Sequence, residues 1–365
     1  MNRLTPENIL WIAAQRQAGQ TNKQIAEELG VDVRSVYAAM ARSGRRPQKS
    51  SSLRGLEIPI QSALIEFARQ TVKPLPAPRK HQHREGKFAV AWGLWDAHIG
   101  SYAWQAEVGA DWDVDIAMRR VFNSIDDMVV ELKPYRIDRI WMPVGSDACH
   151  FDSVRLTTAM GLHTLDVDTR YARVYEAVLR CYCYMVERAL EICDRLELMY
   201  IPGNHDTTAS YTICVALHQR YRKDPRVRVD IGPNPRKHRL YGGSLVGFTH
   251  GHNVTIPNLV LALATEAKDV WSRTTYREIQ IGHKHARWEK QYEGVVASNG
   301  ILVRRNPSLT NCDAWTYNQA LLGEPMKSVE AWRYDEIGYR GSHVVWACDA
   351  KHKKVRLDGY ETELA

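Results

Sequence analysis

LELMYIPGNHD, residues 196–206, runs from alternating apolar residues into a turn carrying an amide, an imidazole and a carboxylate in succession, Asn204, His205 and Asp206. The apolar run reads as a β-strand. Pro202, Gly203 and Asn204 suit a turn, and Asp206 suits the cap of a following helix. Taken alone, the stretch is as good a strand-to-helix connection as it is a ligand-bearing site. What decides between them is whether other strands end in the same way.

They do. FAVAWGLWDAH (88–98), RIWMPVGSD (139–147), VRVDI (227–231), SLVGFTHGH (244–252) and REIQIGHKH (277–285) are further strand candidates. Between them lie helical patterns, DVDIAMRRVFNSIDDMVVEL (113–132) and a stretch from about Asp166 to Leu196. This alternation predicts an α/β fold with helices on the faces of a sheet. Asp96 with His98, Asp147 with His150, Asn204-His205-Asp206, His250 with His252, and His283 with His285 follow five of these strands. Strand C-termini share one edge of such a sheet, so residues far apart in sequence are expected to meet there. Carboxylates, imidazoles and an amide, without a thiolate, suit Mn²⁺, Fe²⁺ or Zn²⁺. One bridging carboxylate and about three further ligands per ion would hold two such ions, and the set is large enough.

In this order the blocks resemble the calcineurin-like metallophosphoesterases, whose signature runs D-x-H, G-D, G-N-H-D/E, an isolated H, then G-H-x-H. The match spans roughly residues 88 to 300. The resemblance implies a β-sandwich flanked by helices. It implies Asp96, His98 and His285 on one metal, Asn204, His250 and His283 on the other, and Asp147 bridging. It also implies that His205 faces the scissile phosphate and that Asp206 orients His205 through a hydrogen bond. His150, three residues beyond Asp147, is similar to the G-D-x-x-H form of the Mre11/SbcD-type nuclease branch, which would set it near the sugar-phosphate. The second block departs from the pattern: VGSDACHFD puts Ser146 between glycine and aspartate, either as one extra residue or as a serine in the glycine's place. His252 is a substrate-facing or supporting candidate, and Arg155, Arg287, Arg304 and Arg305 are candidates for phosphate contacts.

The chain of 365 residues carries a net charge of +7, and its excess lies at one end. Residues 1–87 hold 15 Lys/Arg against 7 Asp/Glu, leaving 34 against 35 in the remainder. Within the basic part, NKQIAEELGVDVRSVYAAMARSG (22–44) has Ile25, Ala26 and Leu29 on one helical face, Gly30 at a turn, and Val31, Val36 and Ala39 beyond it. This is the spacing of a helix-turn-helix, with Thr21 and Asp32 as candidate caps. Arg34 and Ser35 would open the recognition helix, and Arg42, Arg45, Arg46 and Lys49 would contact the DNA backbone or minor groove. The expected organisation is a small all-α helix-turn-helix domain over 1–47, a basic Pro/Ser-rich linker over 48–87 containing His81 and His83, and the phosphoesterase domain over 88–365.

Seven cysteines without CxxC spacing argue against a disulfide framework or a zinc ribbon, and Cys181 and Cys183 are expected to face different ways on one helix. No apolar run reaches about 20 residues, and MNRLTPENIL is too polar for a secretory leader, so a cytoplasmic protein without membrane contact is expected. Past Asn306 the pattern is weaker: HVVWACD and KVRLDGY suggest strands, and Trp315, Tyr317 and Trp332 are either core residues or base-stacking surfaces.

Three functions accommodate these residues. The first is a DNA-acting nuclease directed by the helix-turn-helix, in a layout that resembles proteins of bacteriophages. The second is a protein or nucleotide phosphomonoesterase, which would share every metal ligand. The third is a DNA-binding regulator whose metal domain turns nothing over.

Overall fold

The computed structural model describes residues 15, 20–33, 36, 87–158, 163–252, 254–283, 295–319 and 327–347, with the pairs 356–357 and 360–361. Contacts divide the chain into two compact units, Met1–Ala63 and Leu64–Ala365. In the first, α1 (Asn22–Leu29) opens on a reciprocal cap. Thr21 Oγ1 accepts from the Gln24 amide at 3.3 Å, and Gln24 Oε1 accepts from the Thr21 amide at 2.8 Å. Gly30 ends the helix in the left-handed region at φ 62°, and Ile25, Ala26 and Val36 are buried together. Arg34, Ser35, Arg42, Arg45, Arg46 and Lys49 lie outside the described residues, as do 48–86.

The second unit begins with β1 (Phe88–Trp92), α2 (Val114–Leu132), β2 (Ile137–Gly145), α3 (Tyr171–Ala189), β3 (Cys193–Ile201), α4 (Thr207–Tyr221) and β4 (Val227–Asp230). The four strands pair in parallel in chain order. Successive crossovers of one hand, all taken in one direction across a sheet, put their helices on the same face. The large apolar cluster accordingly joins α2, α3 and α4 to that face. A second sheet is built from β5 (Lys237–Tyr241), β6 (Ser244–Phe248), β7 (Tyr276–Ile281), β8 (Val295–Ser298) and β9 (Ile301–Arg305), in the order β5-β6-β7-β9-β8. Its helix α5 (Ile256–Glu266) packs on its outer face. The hairpin of β10 (Ser328–Tyr334) and β11 (Tyr339–Trp346) then adds antiparallel beside β1, giving the first sheet the order β11-β10-β1-β2-β3-β4.

The result is an α/β sandwich of two sheets with helices on its outer faces. Strand alternation sorts the side chains. Val90 and Trp92 of β1 face the helices, while Ala89 and Ala91 join Trp141, Met199, Val246, Phe248 and Trp332 between the sheets. Burial on both faces explains why β1 reads as an unbroken apolar run.

The interior between the sheets also holds a polar group that the sequence did not announce. Glu278 is fully buried; Arg304 Nε donates to its Oε2 at 2.6 Å, Tyr334 Oη to its Oε1 at 2.7 Å, and Tyr276 Oη bonds it as well. The Arg304 guanidinium lies 4.3 Å from the Tyr339 ring centroid and 4.7 Å from that of Trp332. Arg304 is therefore committed to the core and is no phosphate contact. Trp332 is equally buried, with Nε1 donating to Asn306 Oδ1 at 3.0 Å, and offers no surface for stacking.

Two expectations of secondary structure need correction. The helix expected to reach Leu196 ends at Ala189, because Cys193–Leu196 pairs with Ile137–Ile140 as the start of β3. The strand content past Asn306 includes β10, whose inward Glu330 and partly polar composition hid its period. Cys181 is buried on α3 and Cys183 less so, and the cysteines among the described residues are free thiols. No helix among the described residues is long and apolar enough to cross a membrane.

Removing Arg304 leaves the Glu278 carboxylate buried without its cation, so Arg304→Ala should destabilise the fold by about 3–5 kcal/mol. Urea unfolding measures this; a loss below about 1 kcal/mol would contradict the role given to the pair.

Candidate metal centre

Parallel strands of both sheets end at one edge, and their turns are sewn to one another by backbone hydrogen bonds. The Asp96 amide donates to Ser146 O at 2.9 Å, the His98 amide to Asp147 O at 2.9 Å, and the Ser146 amide to Ile201 O at 2.7 Å. In the second sheet the Gly282 amide donates to His250 O at 3.1 Å. The two sheets meet where the His283 amide donates to both oxygens of Asp96, at 3.0 and 2.8 Å.

These turns are tightly wound. Asp96, His98, Ser146, Asp147 and His283 all have positive φ, between 41° and 71°, and they make up five of the seven such non-glycine residues described. Left-handed backbone is costly for residues with a Cβ, and its concentration here marks a site where geometry outweighs local preference. Gly203 shows the same crowding: a Cβ there would lie 1.9 Å from Asp147 Oδ1, so no side chain fits against that carboxylate.

The side chains converge in three groups, each with ligand atoms within 4.8 Å of one another: Asp96, His98 and Asp147; Asp147, His250 and His283; and His98, His150 and His205. Asp147 belongs to two of them. Asn204 joins the second, its Oδ1 lying 2.9 Å from His250 Nε2, which is also 2.9 Å from Asp147 Oδ2. His285 lies outside the described residues, as does Arg287. His252 is half-buried, with its ring centroid 5.3 Å from that of His250. Arg155 is exposed on the loop that follows His150.

His205 is held differently from the expectation. Its amide donates to Asp147 Oδ1 at 2.8 Å and its Nδ1 lies 2.8 Å from the His150 carbonyl. A carbonyl can only accept, so Nδ1 carries the proton and Nε2 is the free ring atom. Asp206 does not orient this ring. Its carboxylate accepts from the Gly203 amide at 3.1 Å and the Cys149 amide at 3.3 Å, clamping the two turns together. His150 Nδ1 lies 3.1 Å from His98 Nδ1, so one of the pair donates to the other. Sequence reasoning missed Asp152, which caps α4 from a separate loop by accepting from the Thr208 and Ala209 amides at 2.9 and 2.6 Å.

The charges of these buried groups depend strongly on one another. Burial pushes Asp96 up to about 7 against the opposing pull of His250, and burial with the charges of Asp147 and Asp152 pushes Asp206 up to about 8. Burial also opposes ionisation of Asp147, yet His250 and His205 hold it well below the usual carboxylate range. Burial works against charge on His250, but Asp147 overrides it and pushes the imidazole up to about 9. Three buried carboxylates so close together, compensated by a protonated ligand histidine, fit a place for divalent cations. The donors are oxygens and imidazole nitrogens, in keeping with that reading. Asp96 and His98 would hold one ion and Asn204, His250 and His283 the other, with Asp147 common to both.

No known family matches the chain in sequence, and no curated protein does. Among solved structures, Vps29 from Entamoeba histolytica is similar at 13% identity, with 71% of this chain and 98% of that one covered and a TM-score of 0.28. The sulfate thiohydrolase SoxB of Thermus thermophilus is similar at 8% identity, over 73% of this chain and 58% of its own, with a TM-score of 0.34. GAP50 of Plasmodium is similar at 11% identity, over 73% and 86%, with a TM-score of 0.33. Likenesses this remote carry no chemical argument.

Because Asp96 and His250 must lose their protons to bind a cation, loading at pH 7 should release about one to two protons per chain. Their raised values mean that the protons are bound below about 7 and about 9, so affinity should fall as pH drops from 8 to 6. Calorimetry in two buffers of different ionisation enthalpy measures the release. No net release, or tighter binding at the lower pH, would contradict the ligand assignment.

Proposed function

We propose that the second unit is a dinuclear-metal phosphoesterase that hydrolyses phosphodiester bonds, with DNA as its substrate. The observation that carries this reading is that Asp147 is shared between two buried groups of ligand-capable side chains. Bound there, divalent ions, Mn²⁺ by preference with Fe²⁺ or Zn²⁺ as alternatives, supply Lewis acidity that acidifies water and neutralises phosphoryl oxygens.

The protein's own residues do the rest. His205 reaches the solvent side of the cluster, and the proton on its Nδ1 is held by the His150 carbonyl. In the imidazolium form, with a second proton on Nε2, that atom delivers its proton to the departing oxygen as water adds to phosphorus and the P–O bond breaks, and the neutral Nδ1-protonated ring is left. Asp147 steadies the same residue through its amide, so the metal-bridging candidate also sets the position of the acid. His150 bonds His98 through one ring nitrogen and supports His205 through its carbonyl, which ties a candidate ligand to the candidate acid. Asp206 fixes the turns that present both.

DNA is favoured by the basic excess of residues 1–87 and by the helix-turn-helix spacing around Gly30. In this reading Arg34 and Ser35 face the groove and Arg42, Arg45 and Arg46 contact phosphates, concentrating the substrate near the second unit.

End-labelled single- and double-stranded DNA incubated with Mn²⁺ tests the reading, with p-nitrophenyl phosphate esters as controls. Cleavage is expected, and His205→Ala should lower turnover by at least about 100-fold while leaving ion binding intact. Turnover of small esters with intact DNA would make the protein a phosphomonoesterase. Hydrolysis of neither, with ions bound, would make it a DNA-binding regulator.

A further inference from the structure

Ser146 is the residue by which the second block departs from the G-D pattern, and its side chain has a definite use. It is 1% exposed and adopts φ 55°, in a left-handed run between Gly145 at 104° and Asp147 at 63°. That backbone favours glycine, so a serine there needs a reason in its hydroxyl. Its Oγ lies 2.8 Å from His250 Nδ1.

We infer that Ser146 is a positioning residue that selects the metal-binding form of His250. The argument rests on the two-ion reading and runs through the ring. His250 Nε2 faces Asn204 Oδ1 and Asp147 Oδ2, each at 2.9 Å, and is the atom placed to coordinate. A coordinating imidazole nitrogen offers its lone pair, so the proton of the neutral ring must sit on Nδ1 and needs an acceptor. Ser146 Oγ is that acceptor. The next candidate is Asp96 Oδ1, at 3.8 Å, beyond a good hydrogen bond. Asp96 is itself a candidate ligand for the other ion, and a bond from His250 would draw on the same lone pairs. The serine thus keeps the proton of one ligand away from the carboxylate of another.

The position also explains how the hydroxyl is held still. The Ser146 amide donates to Ile201 O and its carbonyl accepts from the Asp96 amide, so the backbone is fixed on both sides. Its Oγ would lie 3.1 Å from a Cβ at Gly282, so the absence of a side chain at 282 leaves room for it. Turns from β1, β2, β3, β6 and β7 all meet around this one residue.

Ser146→Gly and Ser146→Ala together separate the hydroxyl from the backbone. Glycine relieves the left-handed conformation, whereas alanine keeps it, and both remove Oγ. Titration of the full chain with Mn²⁺ by calorimetry should show one of two binding events weakened by about tenfold or more in both variants. The thermal midpoint of the metal-free Gly variant should stay at or above that of the parent. In the Zn²⁺-loaded parent, NMR should find a slowly exchanging proton on His250 Nδ1, lost in both variants. If both ions bind within twofold of the parent and that proton persists, the inference is overturned. It is equally overturned if affinity follows stability, with the Gly variant normal and only the Ala variant impaired. His250→Ala serves as reference and should abolish one binding event. Failure of the parent to bind any divalent ion would defeat the two-ion reading itself, a result distinct from unchanged affinity in the Ser146 variants.

Discussion

The carboxylate of Asp147 is the constraint on which the rest of this edge depends. One oxygen receives the His205 amide and excludes any side chain at Gly203, and the other faces His250 across 2.9 Å. A buried carboxylate costs several kcal/mol unless donors or cations compensate it. Here the compensation comes from the β3 turn and from the β6 turn of the other sheet. Both sheets must be stacked for it to exist, so the sandwich and the site stabilise one another. The same dependence explains why five non-glycine residues accept positive φ in these turns. Relaxing any one of them would withdraw an amide or carbonyl from its partner in a neighbouring turn.

The polar residues between the sheets have a second, purely architectural focus. Glu278, Gln280 and Arg304 lie on strands β7 and β9, whose C-terminal ends lead into the site; Glu278 and Gln280 bond Tyr334 of the opposite sheet, and Arg304 donates to Glu278. A buried polar network of this kind fixes one register more sharply than apolar contacts do. It therefore holds the C-terminal ends of β7 and β9 at a set height relative to Asp96. Ser308 Oγ, just past β9, donates to Asp96 O at 2.6 Å and completes the connection.

Much of this could be read in the sequence because each functional block sits directly after a strand whose both faces are buried. Apolar runs such as FAVAW and SLVGF stand out, and the ligand-capable residues follow within a few positions. The helix before Gly30 and its Thr21 cap were legible for similar local reasons. What escaped was non-local. β10 looked irregular because its inward side chains include Glu330 beside Trp332 and Tyr334. Arg304 looked like a surface cation because its partner lies 26 positions earlier. Asp206 was expected to serve its neighbour His205, yet it bonds Cys149, 57 residues away, and the His150 carbonyl takes its place. Side-chain partners across turns are set by how strands order in the sheet, which residue types alone do not encode.

The central claim is that Asp147 joins two cation sites into one centre. Metal content of the purified full chain after dialysis against Mn²⁺, compared with Asp147→Asn and His283→Ala, tests it most directly. The account predicts about two ions in the parent, loss or marked weakening of both in Asp147→Asn, and retention of about one in His283→Ala. Two ions held by Asp147→Asn with undiminished affinity would contradict it.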